Sequence, residues 1–186
     1  MTTLSVYLDN GEVSIAPTRD FTTIAKTLGD KGVLFERWEA TQPLSSDAQQ
    51  DEVLAAYDQS IKQLKNQFDI QSVDVVALQS DNPQKKEFRE KFLAEHTHKD
   101  FEIRFFVDGS GLFYLHIEDK VYFVLCEKGD LISVPANTTH WFDMGENPSF
   151  KCIRLFSQAE GWLADFTDSD IAKRFPSMDK FVASLS

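Results

Sequence analysis

The stretch AEHTHKDFEIRFFVDGSG, Ala94–Gly111, decides how this chain is read. The chain has only four histidines, and two of them, His96 and His98, stand here one residue apart, with Glu102 four positions further on. On an extended strand, side chains at even separations share a face. If the segment is broadly extended, His96, His98 and Glu102 converge on one interior point. A barrel interior is where strand residues can meet a single ion, each ligand about 2 Å from it.

The remaining ligand should come from another strand, and GDLISVPANTTHWF offers His140 after a Gly-Asp turn, a strand and Pro135. Two histidines and a carboxylate describe an oxygen-handling iron site. A third histidine gives a set of three nitrogens and one oxygen. An octahedral ion would keep two adjacent positions open, suited to a bidentate oxygen ligand such as an enediol or catechol-like dianion. Arg104 lies two beyond Glu102 and shares its face on a regular strand. Arg154 sits on the otherwise apolar FKCIRLF. Buried cations need partners, so each arginine is either paired with a carboxylate or part of an anion-binding pair beside the metal. Phe142 shares a face with His140 and either lines a pocket or packs in the core. Trp141 points oppositely and packs. His116 alternates with Phe113, Leu115 and Ile117 and faces away from them. Glu95 should point away from His96, as a solvated glutamate at a helix end.

Outward from this stretch, Phe101 to Phe156 is a succession of short β-rich segments, FEIRFFVDG, GLFYLHIEDK, VYFVLCEKGD, LISVPANTTHWFDM and SFKCIRLF, separated by turns. That spacing predicts a β-sandwich or barrel. The first half is mixed. Ser5–Asp9 reads as an edge strand, Phe21, Ile24 and Leu28 mark a short helix, and Val33–Glu39 reads as a strand. One helix is expected over AQQDEVLAAYDQSIKQLKNQF, capped from Ser45, Ser46 or Asp47. Ser72–Leu78 looks extended. NPQKKEFREKFLAEH reads as a helix with Pro83 in its first turn and Phe88 and Phe92 on its buried face. The tail DSDIAKRF reads as a capping helix. With 186 residues, one domain is expected: a helical, mixed α/β part over 1–95, a barrel core over 96–157 and a capping segment over 158–186.

Net charge is 19 − 30 = −11. That excludes nucleic-acid binding through bulk charge and disfavours anionic membranes. MTTLSVYLDNGE has neither a basic region nor an apolar core, so no signal peptide is expected. No apolar run reaches the roughly 18 residues of a membrane span. Cys126 and Cys152 lack metal-site spacing and read as buried thiols. A cytoplasmic monomer is the expectation.

HTHKDFEIRFFVDG fits the first cupin motif: HxH, three residues, Glu, six residues, Gly109. GDLISVPANTTH fits the second: Gly129, five residues, Pro135, then His140. Glu90 and Asn137 stand where the pattern has glycine, and Met144 where it has asparagine. These departures touch turns and spare the ligands. EHTHKDFEIRFFVDGSGLFYL, GDLISVPANTTHWFDMG and the upstream DNPQKKEFREKFLAEH resemble acireductone dioxygenase over nearly the whole chain. The resemblance implies a mostly β fold, a cupin-type barrel (jelly roll) preceded by the helical half. It implies a methionine-salvage enzyme that adds O2 to an acireductone, 1,2-dihydroxy-3-oxo-5-(methylthio)pentene. With Fe2+ the products would be 4-methylthio-2-oxobutanoate and formate; with Ni2+, 3-methylthiopropanoate, formate and CO. One metal per chain would be held by His96, His98, Glu102 and His140. Arg104 would form or hold the substrate dianion, Arg154 and Phe142 would bind substrate, and Glu95 would assist metal loading. The alternatives are another metal-dependent cupin enzyme and a non-catalytic metal-binding cupin.

Overall fold

The computed structural model describes residues 1–185. In chain order it forms β1 (Thr3–Leu8), β2 (Val13–Thr18), α1 (Phe21–Gly29), β3 (Leu34–Arg37), α2 (Gln50–Ala56), α3 (Asp58–Gln67), β4 (Ser72–Leu78) and α4 (Lys85–Leu93). Then follow β5 (His96–Thr97), β6 (Glu102–Ile117), β7 (Lys120–Glu127), β8 (Asp130–Val134), β9 (Thr139–Asp143), β10 (Phe150–Phe156) and β11 (Asp165–Phe166). A 3₁₀ turn (Ile171–Arg174) and α5 (Met178–Ser184) complete the order.

The strands make two antiparallel sheets that share β6. One runs β11-β5-β9-β6-β7-β1-β2. In the other, the first half of β6 lies between β10 and β8, with β4 beyond β10 and β3 beyond β8. The strand crosses from one sheet to the other at Gly109, where φ is +67°. A Cβ there would lie 1.9 Å from the Ser149 carbonyl oxygen, so the turn requires glycine. The two sheets face each other as a jelly roll. Their hydrogen bonds do not run on into one closed ring.

Period-two alternation fills three cores. Phe106, Phe113, Leu115, Val124, Cys126, Phe142 and Cys152 point between the sheets. The outer face of the β8–β10 sheet, with Ile103, Phe105 and Leu131, is covered by Val53, Tyr57, Ile61 and Leu64 of the α2–α3 region. The outer face of the other sheet, with Tyr114, Phe123 and Trp141, is covered by Ile171, Phe175 and Phe181. Both cysteines are free and buried, as expected. Asp143, fully buried at the end of β9, ties three elements together. It accepts from Arg89 Nε (2.7 Å) and Nη2 (2.9 Å) on α4, and from the backbone N–H groups of Gly145 (2.9 Å) and Met178 (2.8 Å).

Several expectations change. β1 is not an edge strand: it lies between β7 and β2, and β2 forms the edge. The long helix is two helices. The backbone leaves helical geometry at Tyr57 (φ −107°, ψ 18°), whose ring is buried edge-on against Phe105 at 5.5 Å. The cap is Gln49, reciprocated by Glu52, and not Ser45, Ser46 or Asp47. The buried Lys151 ammonium instead takes the Ser45, Ser46 and Ala48 carbonyls. The first 95 residues also supply four strands to the two sheets, so they are part of the barrel as well as its cover. Among the described residues no helix is long and apolar enough to cross a membrane.

Candidate metal centre

His96 opens β5 and pairs directly with His140 of β9. His98 follows β5, and its carbonyl accepts from Asn137 N–H at 2.8 Å. Asn137 has a left-handed backbone (φ 61°), a conformation that asparagine tolerates better than most residues. The turn therefore keeps its shape without the expected glycine. Glu102 does not continue the same strand: the chain turns at Lys99–Asp100 and Glu102 begins β6 in the facing sheet. Convergence holds all the same. One ligand atom from each of His96, His98 and His140 lies within 4.8 Å of the other two.

Each imidazole is aimed by a main-chain carbonyl. Nδ1 of His96, His98 and His140 lies 2.8 Å from the carbonyls of Ala94, Leu163 and Thr138 respectively. A carbonyl only accepts, so each Nδ1 carries the proton and each Nε2 keeps its lone pair for the shared centre. Glu102 Oε2 stands 3.6 Å from His140 Nε2, and both atoms are buried without a hydrogen-bond partner. Buried polar atoms are rarely left unpaired. A cation between these two and the other imidazoles would satisfy them all, so the donor set fits a metal.

Burial, reinforced by the neighbouring His140, pulls His96 down from 6.5 to about 4. Burial also lowers His98. Burial opposes ionisation of Glu102, but Arg104, His140 and His98 outweigh it and hold the carboxyl well below its ordinary range. At neutral pH His96 and His98 are neutral imidazoles beside the Glu102 carboxylate. Stability of the metal-free protein follows. Between about pH 6.5 and 4 the unfolded chain binds the His96 proton and the folded chain does not. Stability therefore falls as pH falls through that window, by about 3 kcal/mol in all. Glu102 adds a further loss below its ordinary value, near 4.5. Urea unfolding of chelator-treated protein from pH 7 to 4 checks this; a flat profile contradicts it.

Beside the imidazoles opens a cleft of about 280 Å³, walled by Val76, Phe88, Phe92, Trp162 and Phe166, with Arg104 and Arg154 facing it. Arg104 donates from Nε to Glu102 Oε1 at 3.0 Å. Its guanidinium lies over Phe142 (4.7 Å), Phe113 (4.9 Å) and Phe92 (5.8 Å), and its Nη1 is buried without a partner. Arg154 stands directly across the strand pair from Arg104. It is held by Asp74 through two hydrogen bonds (2.8 and 2.6 Å). The ion-pair alternative for both arginines is thus realised while both still face the cleft.

The other expected residues are placed as follows. Phe142 shares the inner face with His140 and is fully buried behind Arg104; Phe92 forms the wall in front. Phe88 and Phe92 both line this cleft; Phe92 also packs on the core between the sheets, as expected, while Phe88 is 37% exposed. Trp141 faces outward, stacked on Tyr114. His116 also faces outward, and its Nδ1 lies 3.0 Å from Glu95 Oε2. Glu95 points away from the imidazoles, as expected, but is buried and not solvated: Thr167 donates to it at 2.7 Å. Sequence reasoning missed Asp74, the Leu163 carbonyl and the apolar wall from Trp162 to Phe166. The only signal was GWLADF, three large apolar residues in an acidic stretch with no strand or helix period.

A family model described as the ARD/ARD' family matches residues 4–164. The chain belongs to the ARD/ARD' family. Curated relatives named acireductone dioxygenase include one from Methylococcus capsulatus, 52% identical over 98% of each chain. Another, from Aquifex aeolicus, is 53% identical over 98% of this chain and 99% of its own. A third, from Hydrogenobaculum sp., is 54% identical over the whole of both. Among solved structures, acireductone dioxygenase from Bacillus anthracis, with a cadmium ion in its active centre, superposes with a TM-score of 0.77 at 28% identity. It covers 89% of this chain and 99% of that one. The ARD/ARD' match thus spans both sheets except the short β11, and includes His96, His98, Glu102 and His140.

Proposed function

We propose that this chain is a metal-dependent acireductone dioxygenase, with His96, His98, Glu102 and His140 as the ligands of one ion. The observation that carries the reading is the adjacency of two features: three aimed imidazoles facing a carboxylate, and Arg104, its Nη1 buried without a partner, in the lining of the same cleft. The relatives' shared name and the metal-bearing active centre of the Bacillus anthracis protein support it.

When bound, the metal supplies a Lewis-acidic template for two neighbouring substrate oxygens. Arg104 Nη1 donates to the oxygen that carries negative charge, while its Nε stays on Glu102. The phenyl rings around the guanidinium keep water from it, which strengthens that contact. Phe142 acts through Arg104 by fixing its plane. Arg154, partly neutralised by Asp74, takes the substrate's remaining carbonyl oxygen. Val76, Phe88 and Phe92 continue into an apolar slot of about 270 Å³ between α4 and β4, which suits the methylthio tail. Held this way, the electron-rich dianion reacts with O2. A loading role for Glu95 would act through the position of His96, since its carboxylate lies on the opposite face. One pair of sheets sharing β6 supports a single domain, and we read it as a cytoplasmic monomer.

Metal analysis paired with an anaerobic-to-aerobic assay on separated iron and nickel forms tests the reading. Near-stoichiometric metal with oxygen uptake by both forms is expected. The iron form should give 4-methylthio-2-oxobutanoate and formate. The nickel form alone should give CO, with 3-methylthiopropanoate and formate. Identical products from both would remove the two-metal chemistry. Metal without oxygen uptake would leave a metal-binding barrel without this activity.

A further inference from the structure

A second cavity, of about 470 Å³, opens on the outer face of the sheet that carries His96 and His140, between the end of α4 and the C-terminal segment. Its floor is the Tyr114–Trp141 stack (5.0 Å, 12°), and Leu93, Ala172 and Phe175 wall it. Its rim carries both signs of charge: Glu90, Asp168 and Lys173. Among the described residues none of these three side chains is engaged in an ion pair. Small-molecule sites have roughly this size, about 300–1,000 Å³, and this composition, apolar with a few polar groups at the edge.

We infer that this cavity is a second ligand site, for an α-amino acid with an apolar side chain. The mixed rim matches a zwitterion: an ammonium against Glu90 and Asp168, a carboxylate against Lys173. The apolar side chain lies over the aromatic stack. An amine or an acid alone would leave one sign of the rim unanswered, and a fully apolar ligand would leave both.

The site is wired to the metal centre by shared elements. Phe88 and Phe92 of α4 face the metal cleft, while Glu90 and Leu93 face this cavity. Ala94, in its wall, supplies the carbonyl that aims His96. Trp141, in its floor, follows His140. Trp162 and Phe166 wall the cleft, and Asp168 lies a few residues on at the cavity rim. An occupant that ties α4 to the C-terminal segment holds both walls of the cleft, and the coupling is reciprocal.

Titration calorimetry of the metal-loaded protein with L-leucine and L-phenylalanine tests this. Saturable one-site binding of either is expected. Isopentylamine and 4-methylpentanoate, each lacking one charge, should bind at least about tenfold more weakly than leucine. Ala172→Trp fills the cavity and should abolish binding. Lys173→Glu, at an exposed position that leaves folding intact, should weaken binding by about tenfold or more. No saturation by either amino acid up to about 10 mM would overturn the inference. So would binding that both variants leave unchanged, because that ligand would lie in the metal cleft.

Discussion

Arg104→Lys keeps its metal and loses kcat for acireductone by about 10²–10³-fold. Arginine does two things here at once. Its Nε pairs with Glu102 at 3.0 Å, and its Nη1 is left over, buried, for the substrate. That division needs a planar fork with several donors in fixed directions. A lysine ammonium is a single point of charge that can sit on Glu102 or reach the substrate. Among Phe92, Phe113 and Phe142 its pKa would also be pushed down by desolvation. The positive charge near Glu102 is retained, so the four ligands should still load. Steady-state kinetics and metal content on the same preparation decide the matter. A kcat within about threefold of wild type would remove Arg104 from the chemistry.

Asp143→Ala should lower the stability of the fold by about 3–5 kcal/mol. The carboxylate is fully buried and answers four donors. Its removal leaves the largely buried Arg89 with only the half-exposed Asp179 as partner (2.8 Å) and two backbone N–H groups unpaired. For a chain of this size each kcal/mol moves Tm by about 2–4 °C, so a fall of roughly 10 °C is expected in a thermal scan. Asp58 provides the contrast. It pairs with Lys62 one helical turn away, both side chains more than half exposed. Asp58→Ala should change stability by about 0.5 kcal/mol or less. Equal effects of the two substitutions would show that burial of Asp143 is not what makes its network matter.

What was legible in the sequence is what is local. HxH followed by Glu102 was readable because strand periodicity and short range place those side chains. His140 was readable because a glycine, a proline and a histidine fall at fixed intervals: Gly129 before β8, Pro135 just after it and His140 on β9. The pattern survived a wrong premise: His98 follows β5 of one sheet, Glu102 opens β6 in the other, and their convergence comes from a turn at Lys99–Asp100. The split at Tyr57 was hidden because the apolar stripe keeps its period through the break. β2 was hidden because Pro17 reads against a strand, and an edge strand accommodates it. The orienting carbonyl of Leu163 and the ion pair between Asp74 and Arg154 depend on partners 65 and 80 residues away. No window of sequence carries such pairings.

Two of the three imidazole acceptors are local, each two residues before its histidine; the third belongs to Leu163, far along the chain. A partly folded molecule can complete both sheets through β10 and still leave His98 unaimed. Docking of the chain beyond β10 is then the step that would finish the proposed binding set. With His98 among the ligands, metal affinity would become a proofreading signal for that step, because a molecule with a loose C-terminal segment would hold its ion less tightly. The ion in turn would act as a clasp on that segment and protect it from proteases in proportion to occupancy.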